Sequence, residues 1–261
     1  MRKFGIIGEH LSHTFSPYIY NGLFKKHGIT AVYKTFEIPK DAFDFIVKDV
    51  THDLQGYNVT IPYKSKIIGH LEEISDDAKE IGAVNVVNAN RVGFNTDWQG
   101  FQRSLKNVKL KGRYALVIGA GGAARAVCYA LKKMEMNVYV VNRTEKKGRK
   151  LADEFGLKYG LPPLSKVALV VNATPIGMYP NVDDMPSLDL SRLPKRCVVY
   201  DLIYNPRPTK FLKSAENEGL KTIDGLEMLI QQAILNLKIW SFEKLAEELE
   251  NEKDWIYKSI E

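Results

Sequence analysis

Cysteine is scarce in this chain of 261 residues: only Cys128 and Cys197 occur, with no CxxC pair and no metal-ligand spacing among five histidines. Neither a disulfide framework nor a metal site is expected, and the compartment is expected to be a reducing one. Uncharged apolar runs long enough to cross a bilayer are missing, as is a signal-peptide core after the opening "MRKFGIIGEH". The chain therefore reads as cytoplasmic, with no membrane partner. No internal repeat, low-complexity tract or Gly/Ser linker interrupts it. Basic residues outnumber acidic ones, 37 to 31, for a net charge of +6, yet they form no block interleaved with aromatics. Lysines alternate with Glu in "EKKGRKLADE" and "FEKLAEELENEKDW", a pattern of solvated helix faces that argues against nucleic acid and leaves room for an anionic small molecule.

What is present suffices for a folded core. Hydrophobic residues make up 45% and charged residues 26% of the chain, and the length suits two domains. Over the first hundred residues short apolar runs ("FGIIG", "AVYKTFEI", "YNVTIP", "AVNVV") alternate with helix-like stretches, which predicts a layered α/β lobe. Ser16 followed by Pro17 predicts a helix start with Ser16 as N-cap, closed by Gly28. From about residue 102 the runs "YALVIG", "NVYVVN", "VALVVNATP" and "CVVYDLIY" are nearly continuous, as in strands covered on both faces, so a parallel, doubly wound sheet is expected there. Near the end, Leu226, Leu229, Ile230, Ala233, Leu237 and Trp240 recur at helical spacing. The predicted organisation is two α/β domains with a cleft between them: residues 1–101 completed by helices from about 226 to 261, and a Rossmann-type domain over 102–225. Helices are expected to join the two, one starting near Asp97.

The stretch "YALVIGAGGAARAVCYAL" runs from strand through Gly119, Ala120, Gly121, Gly122 and Ala123 into a helix, with Ala124 at the third glycine position of G-x-G-x-x-G/A. A tight turn and close approach to a pyrophosphate at a helix N-terminus both call for glycine, so dinucleotide binding is expected. In an NAD site the next strand usually ends in an acid that holds the ribose 2′-hydroxyl. Here it ends in Asn142, Arg143 and Thr144, followed by Lys146 and Lys147. A guanidinium can pair with a 2′-phosphate, which points to NADP.

Polar residues also interrupt apolar runs in the first lobe. "GYNVTIPYK" presents Asn58 and Thr60 on one strand face, with Lys64 beyond the Pro62 that ends it. "GAVNVV" supplies Asn85, and "GFNTDWQG" supplies Asn95, Thr96 and Asp97. Such residues either make turns or line a polar cleft; for Asn95 and Thr96 a turn is the expected role. Asp97 reads as a cleft residue or as the N-cap of the helix "WQGFQRSL". "NATPIGM" reads as a turn at the carboxyl edge of the second sheet, near the cofactor. Cys128 and Met228 read as packed core.

These motifs together resemble the shikimate dehydrogenase family. "SHTFSPYIYN" is similar to its H-S-x-S-P-x-x-H-N, "GYNVTIPYK" to G-x-N-V-T-x-P-x-K, "GAVNVV" to G-A-V-N-T-v and "GFNTDWQG" to G-x-N-T-D-x-x-G. "GAGGAARAV", "NRT", "NATPIGM", "DLIYNPRPTKFL" and "DGLEMLIQQA" continue the resemblance in order from about Gly5 to Trp240. It implies NADP-linked interconversion of 3-dehydroshikimate and shikimate, on the route to aromatic amino acids, by a monomer or homodimer. Lys64 and Asp97 would be the catalytic pair. Thr14, Ser16, Thr60 and Tyr204 would meet the substrate carboxylate, while Asn58, Asn85 and Gln232, with the catalytic pair, would serve the rest of the substrate. Gly119 to Ala123 would hold the pyrophosphate and Asn142 to Lys147 the adenosine end. Thr174 and Leu202 would also bind the cofactor, and Gly225 would approach the nicotinamide. Four departures stand out: Thr14 replaces a usual Ser, Tyr20 a common His and Val86 a frequent Thr, and a Pro usually found after Gly8 is missing. The extra methyl of Thr14 keeps open a quinate/shikimate dehydrogenase using NAD, against which Arg143 argues. A folate-linked dehydrogenase suits the substrate motifs less well, and a nucleotide sensor without catalysis has no need of both Lys64 and Asp97.

Overall fold

The computed structural model describes residues 1–259. The chain divides into two compact units, one formed by Met1–Thr96 with the segment from Gln232 onward, the other by Asp97–Gln231.

The first unit contains β1 (Arg2–Gly8), α1 (Ser16–Lys26), β2 (Ala31–Glu37), α2 (Phe43–Thr51), β3 (Gly56–Val59), β4 (Glu73–Ile74), α3 (Asp76–Ile81), β5 (Val86–Val87) and β6 (Val92–Phe94). Its sheet is mixed, in the order β2-β1-β3-β5-β6-β4. β1 lies parallel to β2 and β3, whereas β5 runs antiparallel to both β3 and β6. The apolar run of β1 is buried from Phe4 to Gly8. Helix α1 turns Ile19, Tyr20, Leu23 and Phe24 inward, the spacing of one helical face. Its start differs from expectation: Phe15 occupies the N-cap position and Ser16 is already the first helical residue, with no side-chain cap. Pro17 still falls in the first turn, where its missing N–H has no intrahelical partner to lose. Gly28 follows the helix at φ +61, the left-handed conformation that closes many helices. Asn58 belongs to β3, but the strand ends at Val59, so Thr60 lies in the turn beyond and not on a strand face.

The second unit contains α4 (Asp97–Ser104), β7 (Tyr114–Ile118), α5 (Gly122–Lys133), β8 (Asn137–Val141), α6 (Glu145–Phe155), β9 (Lys158–Tyr159), β10 (Val167–Asn172), β11 (Val198–Asp201), α7 (Lys210–Asn217), β12 (Lys221–Ile223) and the start of α8 (Leu226–Ile239). All its strands are parallel, in the order β12-β11-β10-β7-β8-β9. Numbered within this sheet, that is the doubly wound order of dinucleotide-binding folds, with its reversal between β7 and β10. Every residue of β10 is buried, which is why the strand reads as one apolar run. Leu116, Val170, Val199, Phe211 and Leu212 pack together on the sheet.

Helix α8 runs through the second parting of the units, and α9 (Glu243–Asn251) and α10 (Asp254–Ser259) complete the first unit. The partings fall at 96/97 and 231/232, where apolar texture alone had suggested 101/102 and 225/226. Beyond α8, the indole Nε1 of Trp240 donates to the Val87 carbonyl at 3.0 Å, and the absence of a side chain on Gly56 admits the ring. Both cysteines are free and buried, and burial pushes the Cys128 thiol up to about 12. Among the described residues no helix is long and apolar enough to cross a membrane, and no group of His, Cys, Asp or Glu is placed to hold a metal ion.

Candidate active site

In the first unit, strand register gathers the polar side chains at one end of the sheet. β1 and β3 run in parallel with Ile7 beside Val59, so the loops that follow them leave from the same edge. One loop carries Thr14 and Ser16, whose hydroxyls lie 3.4 Å apart. The other carries Thr60 and the half-buried Lys64. A Cβ on Gly8 would stand 2.7 Å from the Thr60 methyl, so the two loop bases touch. Because β5 is antiparallel, Asn85 precedes it at that same edge, where its carbonyl accepts from the Val59 N–H at 2.9 Å.

A buried hydrogen-bond network follows. Tyr33 donates to Asn58 Oδ1 at 2.7 Å, and Asn58 Nδ2 donates to the Asn85 carbonyl at 3.1 Å. Asn85 Oδ1 accepts the Thr96 N–H at 2.7 Å, while Asn85 Nδ2 donates to Thr96 Oγ1 at 2.9 Å and to Gln232 Oε1 at 3.5 Å. Thr96 Oγ1 then donates to Asn236 Oδ1 at 2.7 Å. Asn236 Nδ2 reaches Gln232 Oε1 at 2.7 Å and the Tyr20 hydroxyl at 3.0 Å. Each polar atom that leaves water here finds a partner, as burial requires. Tyr20 stacks on Tyr33 with ring centroids 4.5 Å apart, and burial pushes its phenol up despite the Asn236 bond.

Two expectations change. Thr96 makes no isolated turn; it cross-links the sheet edge to α8 through Asn85 and Asn236. Asn95 donates to the Ala83 carbonyl at 2.9 Å, a tie to a distant loop. Asn236, Tyr20 and Tyr33 were not among the expected site residues. The available signal for Asn236 was one amide inside the apolar stripe "AILNLKIW". Asp97 is the first residue of α4 in the second unit and is buried, so it is not that helix's N-cap.

In the second unit the glycine loop sits where the doubly wound sheet reverses. Gly119 follows β7 at φ +124, and a Cβ there would stand 2.9 Å from the Ala173 carbonyl after β10, so both conformation and space demand glycine. Gly121 is the N-cap of α5, which has no side-chain cap and no acid in its first turn. Its exposed amides and positive dipole end suit a pyrophosphate, and nothing lies within 4 Å of a Cβ built on Gly121, so the loop has room for one. Arg143, Thr144 and Lys147 are exposed just after β8, and Asn142 Nδ2 donates to the Thr144 carbonyl at 2.9 Å, shaping that turn. Thr174 follows β10, held by Asn172 Oδ1 through its N–H at 3.1 Å and its hydroxyl at 2.7 Å. Leu202 and Tyr204 follow β11, and a Cβ on Gly225 would collide with the Leu202 carbonyl. The residues present therefore fit a dinucleotide.

One unit with an all-parallel doubly wound sheet and a glycine loop at its reversal, and another α/β unit with a buried polar network, make up a two-unit dinucleotide-dependent oxidoreductase. Residues 6–87 match the shikimate dehydrogenase substrate binding domain and residues 102–178 match shikimate/quinate 5-dehydrogenase. The chain belongs to the shikimate dehydrogenase family. It is 40% identical to the shikimate dehydrogenase (NADP(+)) of Carboxydothermus hydrogenoformans, over 91% of this chain and 90% of that protein. It is 39% identical to that of Methanocaldococcus jannaschii, over 91% and 90% of the two chains. Among solved structures, shikimate dehydrogenase of Aquifex aeolicus is similar with a TM-score of 0.85 at 38% identity, covering 97% of this chain and 98% of the other. Shikimate 5-dehydrogenase of Thermus thermophilus in complex with NADP(H) and shikimate is similar with a TM-score of 0.83 at 36% identity, covering 95% of this chain and 100% of the other.

Proposed function

We propose that this chain interconverts 3-dehydroshikimate and shikimate with NADP, as a cytoplasmic monomer or homodimer serving aromatic amino acid synthesis. The observation that carries the reading is a 40% identity to a shikimate dehydrogenase (NADP(+)) that extends over 91% of this chain, so that the substrate-type and dinucleotide-type units are matched together.

When bound, the reduced cofactor supplies the hydride to the ring ketone. The chain must then position the substrate, exclude competing water and manage one proton. Lys64 polarises the ketone as an ammonium and delivers the proton; in the reverse direction its neutral amine takes the hydroxyl proton. Asp97 is the acidic member of this acid–base pair. The hydroxyls of Thr14, Ser16, Thr60 and Tyr204 hold the substrate carboxylate. Asn85 and Gln232, oriented by Thr96 and Asn236 in the first unit, meet its ring hydroxyls, and Asn58 holds Asn85 in place. Amides of the Gly119–Ala123 stretch receive the pyrophosphate, Arg143 with Asn142, Thr144 and Lys147 the 2′-phosphate end, and Thr174, Leu202 and Gly225 the nicotinamide.

The test is direct: mix protein, NADP and shikimate at alkaline pH and follow the absorbance of reduced nicotinamide. Reduction of NADP is expected, and its absence with folded protein overturns the reading. Parallel mixtures with quinate and with NAD test the reading that the Thr14 methyl keeps open, a quinate/shikimate dehydrogenase; preference for quinate and NAD would replace the proposal.

A further inference from the structure

Asp201 is the last residue of β11 and stands in register with Asn172, the last residue of β10. Both are wholly buried at the carboxyl edge of the parallel sheet, where doubly wound folds receive their ligands. The Asp201 carboxylate is held by three neutral donors. Asn172 Nδ2 reaches its Oδ1 at 3.0 Å, the Ile203 N–H reaches the same oxygen at 3.1 Å, and the Thr209 hydroxyl reaches Oδ2 at 2.7 Å. Burying a carboxylate without a cation is expensive, and an apolar pair would fill the same space at less cost. Burial pushes this carboxyl up to about 7 against the pull of its three partners.

The bonds lead outward to one place. Asn172 Oδ1 holds the N–H and hydroxyl of Thr174, and Asn172 Nδ2 also reaches the Ile176 carbonyl at 3.2 Å. The Leu202 N–H donates to the Asn172 carbonyl at 3.0 Å, and the Gly225 N–H donates to the Ile203 carbonyl at 3.2 Å. Thr209 Oγ1 in turn accepts the Leu212 N–H at 3.3 Å and caps α7. Thr174, Leu202 and Gly225 are thus each connected to Asp201 through a short run of hydrogen bonds.

We propose that Asp201 is a positioning residue for the nicotinamide end of the dinucleotide site, acting through Asn172 on the loop of Thr174 and through Ile203 on the approach of Leu202 to Gly225. The assignment rests on the proposed NADP function. It places no demand on the adenosine end, which Arg143 and its neighbours serve from the other half of the sheet. Asp201 touches neither substrate nor cofactor; its effect is to fix the loops that do.

The test compares two ligands on the same protein by calorimetry: NADP, and adenosine 2′,5′-bisphosphate, which lacks the nicotinamide. In Asp201→Ala, NADP is expected to bind about tenfold more weakly while the bisphosphate stays within roughly twofold of wild type, the size of effect expected when a hydrogen bond to a charged group is lost. Equal weakening of both ligands, or of neither, overturns the assignment. Should Asp201→Ala fail to fold, Thr209→Val carries the same comparison, with Thr209→Ser expected to restore NADP binding. Wild-type protein that binds neither ligand refutes the NADP reading itself, which separates the two failures.

Discussion

Thr96 donates its hydroxyl to Asn236 Oδ1 at 2.7 Å, across 140 positions of sequence, and so fastens α8 to the edge of the first sheet. The same Asn236 amide donates to Gln232 and Tyr20, so one side chain aligns three polar groups.

Asn236→Leu keeps the size of the side chain and removes these bonds, leaving buried groups short of partners. Stability should fall by about 2–4 kcal/mol, the usual cost of breaking a buried hydrogen-bond network. Urea unfolding reads this as a lower midpoint with an unchanged slope, and an unshifted midpoint contradicts it.

Lys64→Ala should lower turnover by roughly 10²–10⁴, the range for lost acid–base assistance, with NADP affinity near normal. Steady-state kinetics with shikimate and calorimetry with NADP give the two numbers. Turnover close to wild type would remove Lys64 from the mechanism.

Arg143 is exposed beyond β8, where an NAD site usually carries an acid. Arg143→Ala should weaken NADP by about tenfold or more, through loss of a charge-assisted contact, and leave NAD nearly unchanged. Equal losses for the two cofactors, titrated side by side, would contradict the 2′-phosphate role.

Burial pushes the Asp201 carboxyl from an ordinary 3.8 up to about 7, with the charge of Asp224 adding to the rise and Thr209, Ile203 and Asn172 opposing it. Between those values the folded chain keeps a proton that the unfolded chain has released. Stability from this group therefore falls as pH rises from about 4 to about 7 and levels off above, by a total on the order of 4 kcal/mol. Asp201→Asn cannot titrate and should lose that slope. Urea unfolding of both proteins across the window decides it, since parallel pH profiles would show that Asp201 is not the group responsible.

Much of this organisation is legible in the chain itself. Continuous apolar runs mark the parallel strands of the second sheet, because strands covered on both faces need no polar side. The glycine pattern after β7 marks the dinucleotide loop, because only glycine meets the local backbone demand at Gly119. Asn58, Asn85 and Thr96 announce themselves as polar breaks in apolar segments. Helix starts are less well marked: Ser16 looks like a cap and is instead the first helical residue, since cap geometry depends on a few backbone angles that composition does not record.

Partners belong to the tertiary structure alone. That Thr96 meets Asn236, that Tyr33 meets Asn58, and that Asp201 gathers Asn172, Ile203 and Thr209 follow from strand register and helix placement, which bring together residues that no local periodicity connects. Gly225 is the same lesson in steric form: nothing in "DGLEM" requires glycine until the Leu202 carbonyl lies against it. Local sequence sets which groups must be buried and which turns are open to them; hydrogen-bond geometry, which acts only over about 3 Å, becomes determined once the sheets have closed.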